Sequence, residues 1–272
     1  MIMRRKLLLL TLLLVAVCSV ASAQIVKDLQ YASSTTDAYL QERCKLDIYA
    51  PEGAKDLPVV VWFHGGGLTG GEKTSVPRDL KESGFVVVSA GYRLIPKGTI
   101  ADCIADAAAA VAWTFDNIAA YGGSPDKVFL SGHSAGGYLI DMLGLDKRWL
   151  AKHGIDADRV AGLIPFSGQV LSHYNYRKTL GMTPFQPLID EYAPLSHVRA
   201  DAPPIVIISG DRELELYGRY EETAYFWRLL RMVGHPDATL YELQGFGHGN
   251  MADPAVQILK DNVRRILRAR SR

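Results

Sequence analysis

Two runs constrain the fold first: Val59-Val60-Val61-Trp62-Phe63 and Phe85-Val86-Val87-Val88 have no polar face. A strand that is apolar on both sides has to be covered on both sides, and crossover helices provide that cover. Strand-like segments recur at Lys45 to Tyr49, Pro58 to Phe63, Phe85 to Ala90, Val128 to Ser131, Val160 to Phe166, Ile205 to Ser209 and Thr239 to Leu243, with helical stretches between several of them. This alternation predicts an α/β fold, a mostly parallel central sheet with helices on both faces. With 272 residues, 48% of them apolar, the chain is long enough to bury a sizeable core.

The helical stretches carry their own signals. Ile100 to Tyr121 is alanine-rich and stops at Gly122-Gly123. In Tyr220 to Val233 the residues Tyr220, Ala224, Trp227, Leu230 and Val233 recur at three- and four-residue spacing, which predicts their burial. A last helix is expected from Asp253-Pro254, with a stripe of Val256, Leu259, Val263 and Leu267 and arginines near its end that read as a solvated face.

Residues 1–23 read as a signal peptide. Arg4-Arg5-Lys6 precedes an apolar run from Leu7 to Val17, and Ala21-Ser22-Ala23 is a small-residue cleavage site before Gln24. The run is short for a membrane span, and Val17 before Cys18 disfavours lipoprotein processing. The expectation is therefore export to the periplasm or the medium, with residues 24–272 forming the mature domain. Its formal charge changes from +1 to about −2 on cleavage, and a near-neutral chain without an internal basic run argues against nucleic acid. Cys44 and Cys103 are read as separate small apolar side chains, although the compartment permits a disulfide. No spacing suggests a metal, and no cofactor is expected.

One stretch, Gly168 to Pro204, has no clear periodicity and holds His173, Tyr174, Tyr176 and Phe185. A long irregular segment inside a compact domain is often functional, and residues 168–204 are expected to form a small cap over a pocket.

The chemistry centres on Gly132-His133-Ser134-Ala135-Gly136-Gly137, placed between the strand at Val128 and a helix from Tyr138. Glycines two residues before and after a serine permit the tight strand-to-helix turn that exposes its hydroxyl at the sheet edge. Ser134 then lies at a helix N-terminus, which favours developing negative charge. A hydroxyl needs a base, an acid that orients the base, and donors for an oxyanion. The donors are sought in His64-Gly65-Gly66-Gly67 after the strand at Pro58, with Gly66 and Gly67 preferred and the amide of Ala135 added. His64 is assigned to holding that loop. His248, in Gly247-His248-Gly249 after the last strand, is the expected base, while His133 is expected to point away from its neighbour at the elbow, and His133, His153, His173, His197 and His235 are all read as surface or structural. Two carboxylates compete for the acid in the loop after Ile205 to Ser209. Glu213 is preferred for its reach; Asp211 is the alternative, or a residue that pins the turn.

With these motifs in this order, the chain resembles the α/β-hydrolase superfamily, and within it the esterase/lipase group that includes hormone-sensitive-lipase-like and bacterial acetyl or feruloyl esterase-type proteins. The resemblance implies a serine carboxylic ester hydrolase with a two-step acyl-enzyme mechanism and no cofactor. In such proteins the acid usually stands three residues after the loop glycine and is usually aspartate; that place holds Glu213 here. Export and charge favour small-molecule or carbohydrate esters with short or aromatic acyl groups. An arylformamidase-like amidase and a catalytically silent binding protein of the same fold are the alternatives.

Overall fold

The computed structural model describes residues 23–34, 36–216 and 218–271. The expected signal peptide and Cys18 lie outside the described residues, apart from Ala23. The elements in chain order are β1 (Ala23–Gln30), α1 (Ala38–Arg43), β2 (Lys45–Pro51), β3 (Leu57–Phe63), α2 (Arg78–Lys81), β4 (Val86–Ala90), α3 (Ile100–Asn117), β5 (Gly123–His133), α4 (Ala135–Leu145), α5 (Arg148–Ala151), β6 (Gly162–Phe166), α6 (Tyr174–Thr179), β7 (Ile205–Gly210), α7 (Arg219–Met232), β8 (Ala238–Leu243) and α8 (Ala252–Arg270). The eight strands form one sheet in the order β1-β2-β4-β3-β5-β6-β7-β8. The β1/β2 and β2/β4 pairs are antiparallel and all the others parallel.

The continuous apolar strands serve two cores. Val59, Val61 and Phe63 of β3 pack with α3 and α4, whereas Val60 and Trp62 pack with Val256, Leu259 and Val263 of α8 on the other face. Alternation along the strand sends successive side chains to opposite sides, so each core receives every second residue. Burial of each large side chain contributes about 1.5–3 kcal/mol relative to exposure.

Three details differ from the sequence reading. The edge strand β1 carries Asp28 and only a broken apolar pattern, so periodicity does not mark it; its register shifts between Val26 and Leu29. Helix α7 has the expected period but another phase: Arg219, Thr223, Phe226 and Leu230 are buried, while Val233 is exposed and Tyr220, Ala224 and Trp227 are only part-buried. Polar contacts of Arg219, described below, hold that phase. Helix α8 begins at Ala252 with Met251 flanking it, so Asp253 does not cap it, and Pro254 sits in the first turn, where a missing N–H costs little. Cys44 and Cys103 are both buried and unbonded.

The 168–204 segment lies between β6 and β7 and folds as α6 followed by loops and a 3-10 turn at Pro194–His197. It is tied to the body at two points used below. Tyr138 of α4 donates to the carbonyl of Tyr192 at 2.8 Å, and Asn175 donates to the carbonyl of Gly67 at 2.6 Å.

Candidate active site

The parallel strands end on one edge of the sheet, and the loops leaving β3, β5, β6, β7 and β8 meet there. In open α/β sheets this carboxyl edge is where ligands bind. Ser134 follows β5 directly and has φ +56° and ψ −115°, a conformation seldom adopted by L-residues. The glycine pattern explains how the chain tolerates it. A Cβ on Gly136 would stand 1.9 Å from the carbonyl oxygen of Phe63, and one on Gly132 would stand 2.7 Å from the same atom. The elbow therefore packs backbone against backbone on the end of β3. Gly136→Ala has no side-chain movement that relieves this clash, and its expected destabilisation is at least ~3 kcal/mol, read as a lowered urea midpoint.

Ser134 Oγ lies 2.9 Å from His248 Nε2, and His248 Nδ1 lies 2.8 Å from Glu215 Oε2. An ionised carboxylate only accepts, so Nδ1 carries the proton and Nε2 presents a lone pair to the serine hydroxyl. The sheet thus brings together Ser134 and His248 as the motifs suggested, but the carboxylate against His248 belongs to Glu215. This corrects both expected positions.

The reason is the shape of the loop after β7. The N–H of Leu214 and that of Glu215 both donate to the carbonyl of Asp211 at 2.9 Å, forming one helical turn. The side chain of Asp211 accepts from the N–H of Glu213 at 2.9 Å and from Gly245 at 2.8 Å, so it pins the turn to the histidine loop. Glu213 is carried outward and is exposed. Glu215, one turn beyond Asp211, comes back to the sheet edge, where its Oε1 accepts from the N–H of Gly210 at 3.0 Å. A Cβ on Gly210 would stand 2.9 Å from that oxygen. The available signal was Asp211 itself: an aspartate at the head of a loop caps its own turn and shifts the next functional position by several residues.

Ser167, after β6, completes the surroundings of Glu215. It has φ +47°, its hydroxyl donates to Glu215 Oε1 at 2.5 Å, and its Oγ lies 3.1 Å from His248 Nδ1. Ser167 is fully buried and meets Nδ1 of the imidazole, whereas Ser134 meets Nε2. Burial acts to raise the Glu215 pKa, but hydrogen bonds from His248, Ser167 and Gly210, with the charge on His248, outweigh it and lower the carboxyl to about 2. A depressed carboxylate contributes stability that is complete above its ordinary value of 4.5 and is lost as pH falls from there toward about 2. Accordingly, Glu215→Gln is expected to flatten the pH dependence of the urea midpoint across that window, and Ser167→Ala to narrow the window by raising its lower end.

The contacts of His133 are structural, but its ring lies against His248 rather than away from the elbow. Its Nε2 donates to the carbonyl of His248 at 2.9 Å, and the two rings lie 4.7 Å apart. Burial, reinforced by the neighbouring His248 charge, lowers its pKa to about 4, so a neutral ring packs against His248. His64 is buried, donates from Nδ1 to the carbonyl of Gly65 at 2.7 Å, stacks on Tyr92, and is likewise lowered to about 4 by burial.

The glycine loop passes close to the elbow: a Cβ on Gly65 would stand 3.3 Å from Ser134 Cβ. The carbonyl of Gly66 accepts from Thr69 and Gly70, while the N–H groups of Gly66 and Gly67 have no acceptor among the described residues. The N–H of Ala135, first in α4, has none within its helix.

Fold and site together define the architecture: a mostly parallel eight-stranded sheet with a serine elbow and a histidine–carboxylate pair at its carboxyl edge, the α/β-hydrolase fold. More particularly, the BD-FAE family model matches residues 46–178, which include the glycine loop and the elbow. A probable isoprenylcysteine alpha-carbonyl methylesterase, ICMEL1 of Oryza sativa subsp. japonica, is 40% identical over 103 residues, 36% of this chain and 24% of that protein. The probable carboxylic ester hydrolase LipM of Mycobacterium tuberculosis is 30% identical over 178 residues, 56% of this chain and 40% of that protein. The chain thus spans a minor part of the length of these curated relatives. Among solved structures, a truncated form of carbohydrate esterase from gut microbiota superposes with a TM-score of 0.72 at 18% identity, covering 90% of this chain and 96% of that one. That likeness is one of fold.

Proposed function

We propose that the protein is a serine carboxylic ester hydrolase acting, after export, on short-chain or aromatic acyl esters, including esters on carbohydrate. The observation that carries this reading is the continuous relay from Ser134 through His248 to Glu215, with contacts of 2.9 Å and 2.8 Å. His248 Nε2 takes the hydroxyl proton as Ser134 Oγ attacks the ester carbonyl. Glu215 holds the ring in the required tautomer and stabilises its cation. The free N–H groups of Gly66, Gly67 and Ala135 are the proposed donors to the oxyanion. The protonated imidazole then gives its proton to the departing alcohol, and a water activated by His248 releases the acyl group. The substrate range is supported by the compartment expected from residues 1–23 and by the kinds of esterase the chain is similar to.

The test is hydrolysis of 4-nitrophenyl acetate by the chain from Gln24, beside 4-nitroacetanilide and an N-formyl aromatic amine. Ester hydrolysis that exceeds amide hydrolysis supports the reading. Preferential hydrolysis of the formamide would replace it with an amidase, and inertness toward all three would leave a binding protein. Glu215 remains ionised well below pH 4, so an acid limb of the rate profile above that point belongs to another group.

A further inference from the structure

A cavity of about 390 Å³ lies between the 168–204 segment and the start of α7. Tyr174 forms part of its wall and also touches the glycine loop, since a Cβ on Gly67 would stand 2.5 Å from the Tyr174 hydroxyl. Leu216, the residue after Glu215, forms another part. The cavity therefore adjoins both the loop expected to hold the reacting carbonyl and the acid of the relay.

Two arginines line this space, Arg177 from α6 and Arg219 from α7, and each is only 3% exposed. A guanidinium has five N–H donors, and its charge is costly to bury without an anion. Arg219 donates to the carbonyl of Ser167 and Arg177 to the carbonyl of Gln186. The Nε of each is buried without a partner. Among the described residues no Asp or Glu oxygen lies within 4.0 Å of either guanidinium. Two acidic residues also line the cavity. Glu222 is turned onto the N–H groups of Val170 and Leu171 and the side chain of Gln169, and Glu221 is exposed at the rim. Neither stands at ion-pair distance from the arginines, although the charge of Glu222 favours both guanidinium groups from further away and that of Glu215 favours Arg219.

We propose that this cavity is a substrate subsite that takes a carboxylate carried by the ester, held by Arg177 and Arg219. The proposal rests on the esterase reading. A planar carboxylate matches the fork geometry of guanidinium and supplies the acceptor oxygens that the protein leaves out. The carboxylate can belong to the alcohol, as on a uronate, or to the acyl group, as in a dicarboxylate half-ester.

Paired substrates distinguish these sources. For the alcohol side, 4-acetoxybenzoate is compared with 4-acetoxybenzamide; for the acyl side, mono-4-nitrophenyl glutarate is compared with 4-nitrophenyl butyrate. The expected result is that kcat/KM favours the carboxylate by about tenfold or more in one pair. That preference falls to within about twofold in Arg177→Met and is intermediate in Arg177→Lys, which keeps the charge without the fork. Protection of the wild-type enzyme by 4-hydroxybenzoate or glutarate, but not by their amides, gives a second readout that needs no variant. Equal rates in both pairs, or a preference unchanged in Arg177→Met, overturn the subsite and leave the esterase reading standing if Ser134→Ala is inert. Failure to hydrolyse any of the four esters overturns the esterase reading, and the subsite falls with it.

Discussion

Ser134→Ala is expected to lower kcat/KM for 4-nitrophenyl acetate by at least ~10⁴-fold while leaving the fold intact. The size of the effect follows from the position of the hydroxyl, 2.9 Å from the only ring nitrogen of His248 that is free to take its proton. The harmlessness to folding follows from the backbone. Alanine at φ +56° bears the same strain as serine, and the Ser134 side chain makes no cap hydrogen bond to α4. Steady-state rates and a thermal melt on the same preparation check both halves. Activity within tenfold of wild type would mean that the elbow is only a turn.

The second large effect separates three neighbouring carboxylates. Glu215→Gln is expected to reduce kcat/KM by ~10³–10⁴-fold, because an amide no longer enforces the Nδ1-protonated tautomer or stabilises the cation that forms when His248 takes the proton. Glu213→Gln is expected to stay within about twofold, since Glu213 is exposed and has no contact with His248. Asp211→Asn retains an acceptor oxygen for the turn, and its expected cost is mainly in stability. Parallel kinetics and urea denaturation of the three variants decide the matter. A loss in Glu213→Gln equal to that in Glu215→Gln would overturn the assignment.

The contrast between Ser134 and Glu215 marks how far local pattern reaches. Gly132, Gly136 and Ser134 lie within five residues, and steric exclusion of side chains at a tight turn leaves a mark in the sequence. His248 was legible for a related reason, because a histidine in a glycine-rich loop after the last strand has few other structural duties. Glu215 was not legible by counting from Gly210, since the distance depends on whether the intervening loop is extended or helical. The N–H groups that settle that question bond to Asp211. The direction of the His133 ring was not legible for a similar reason: its partner is a carbonyl 115 residues away in sequence.

The sequence by itself determined the fold class, the elbow and the histidine that meets Ser134. Apolar strands without a polar face demand cover on both sides, and backbone crowding at the elbow admits only glycine two residues before and two residues after Ser134. Tertiary structure alone decided which carboxylate meets His248, how Ser167 supports that carboxylate, and that α7 turns Arg219 inward. Those outcomes depend on where separate loops converge at the sheet edge, and hydrogen bonds between residues far apart in the chain leave no periodicity or spacing by which to read them.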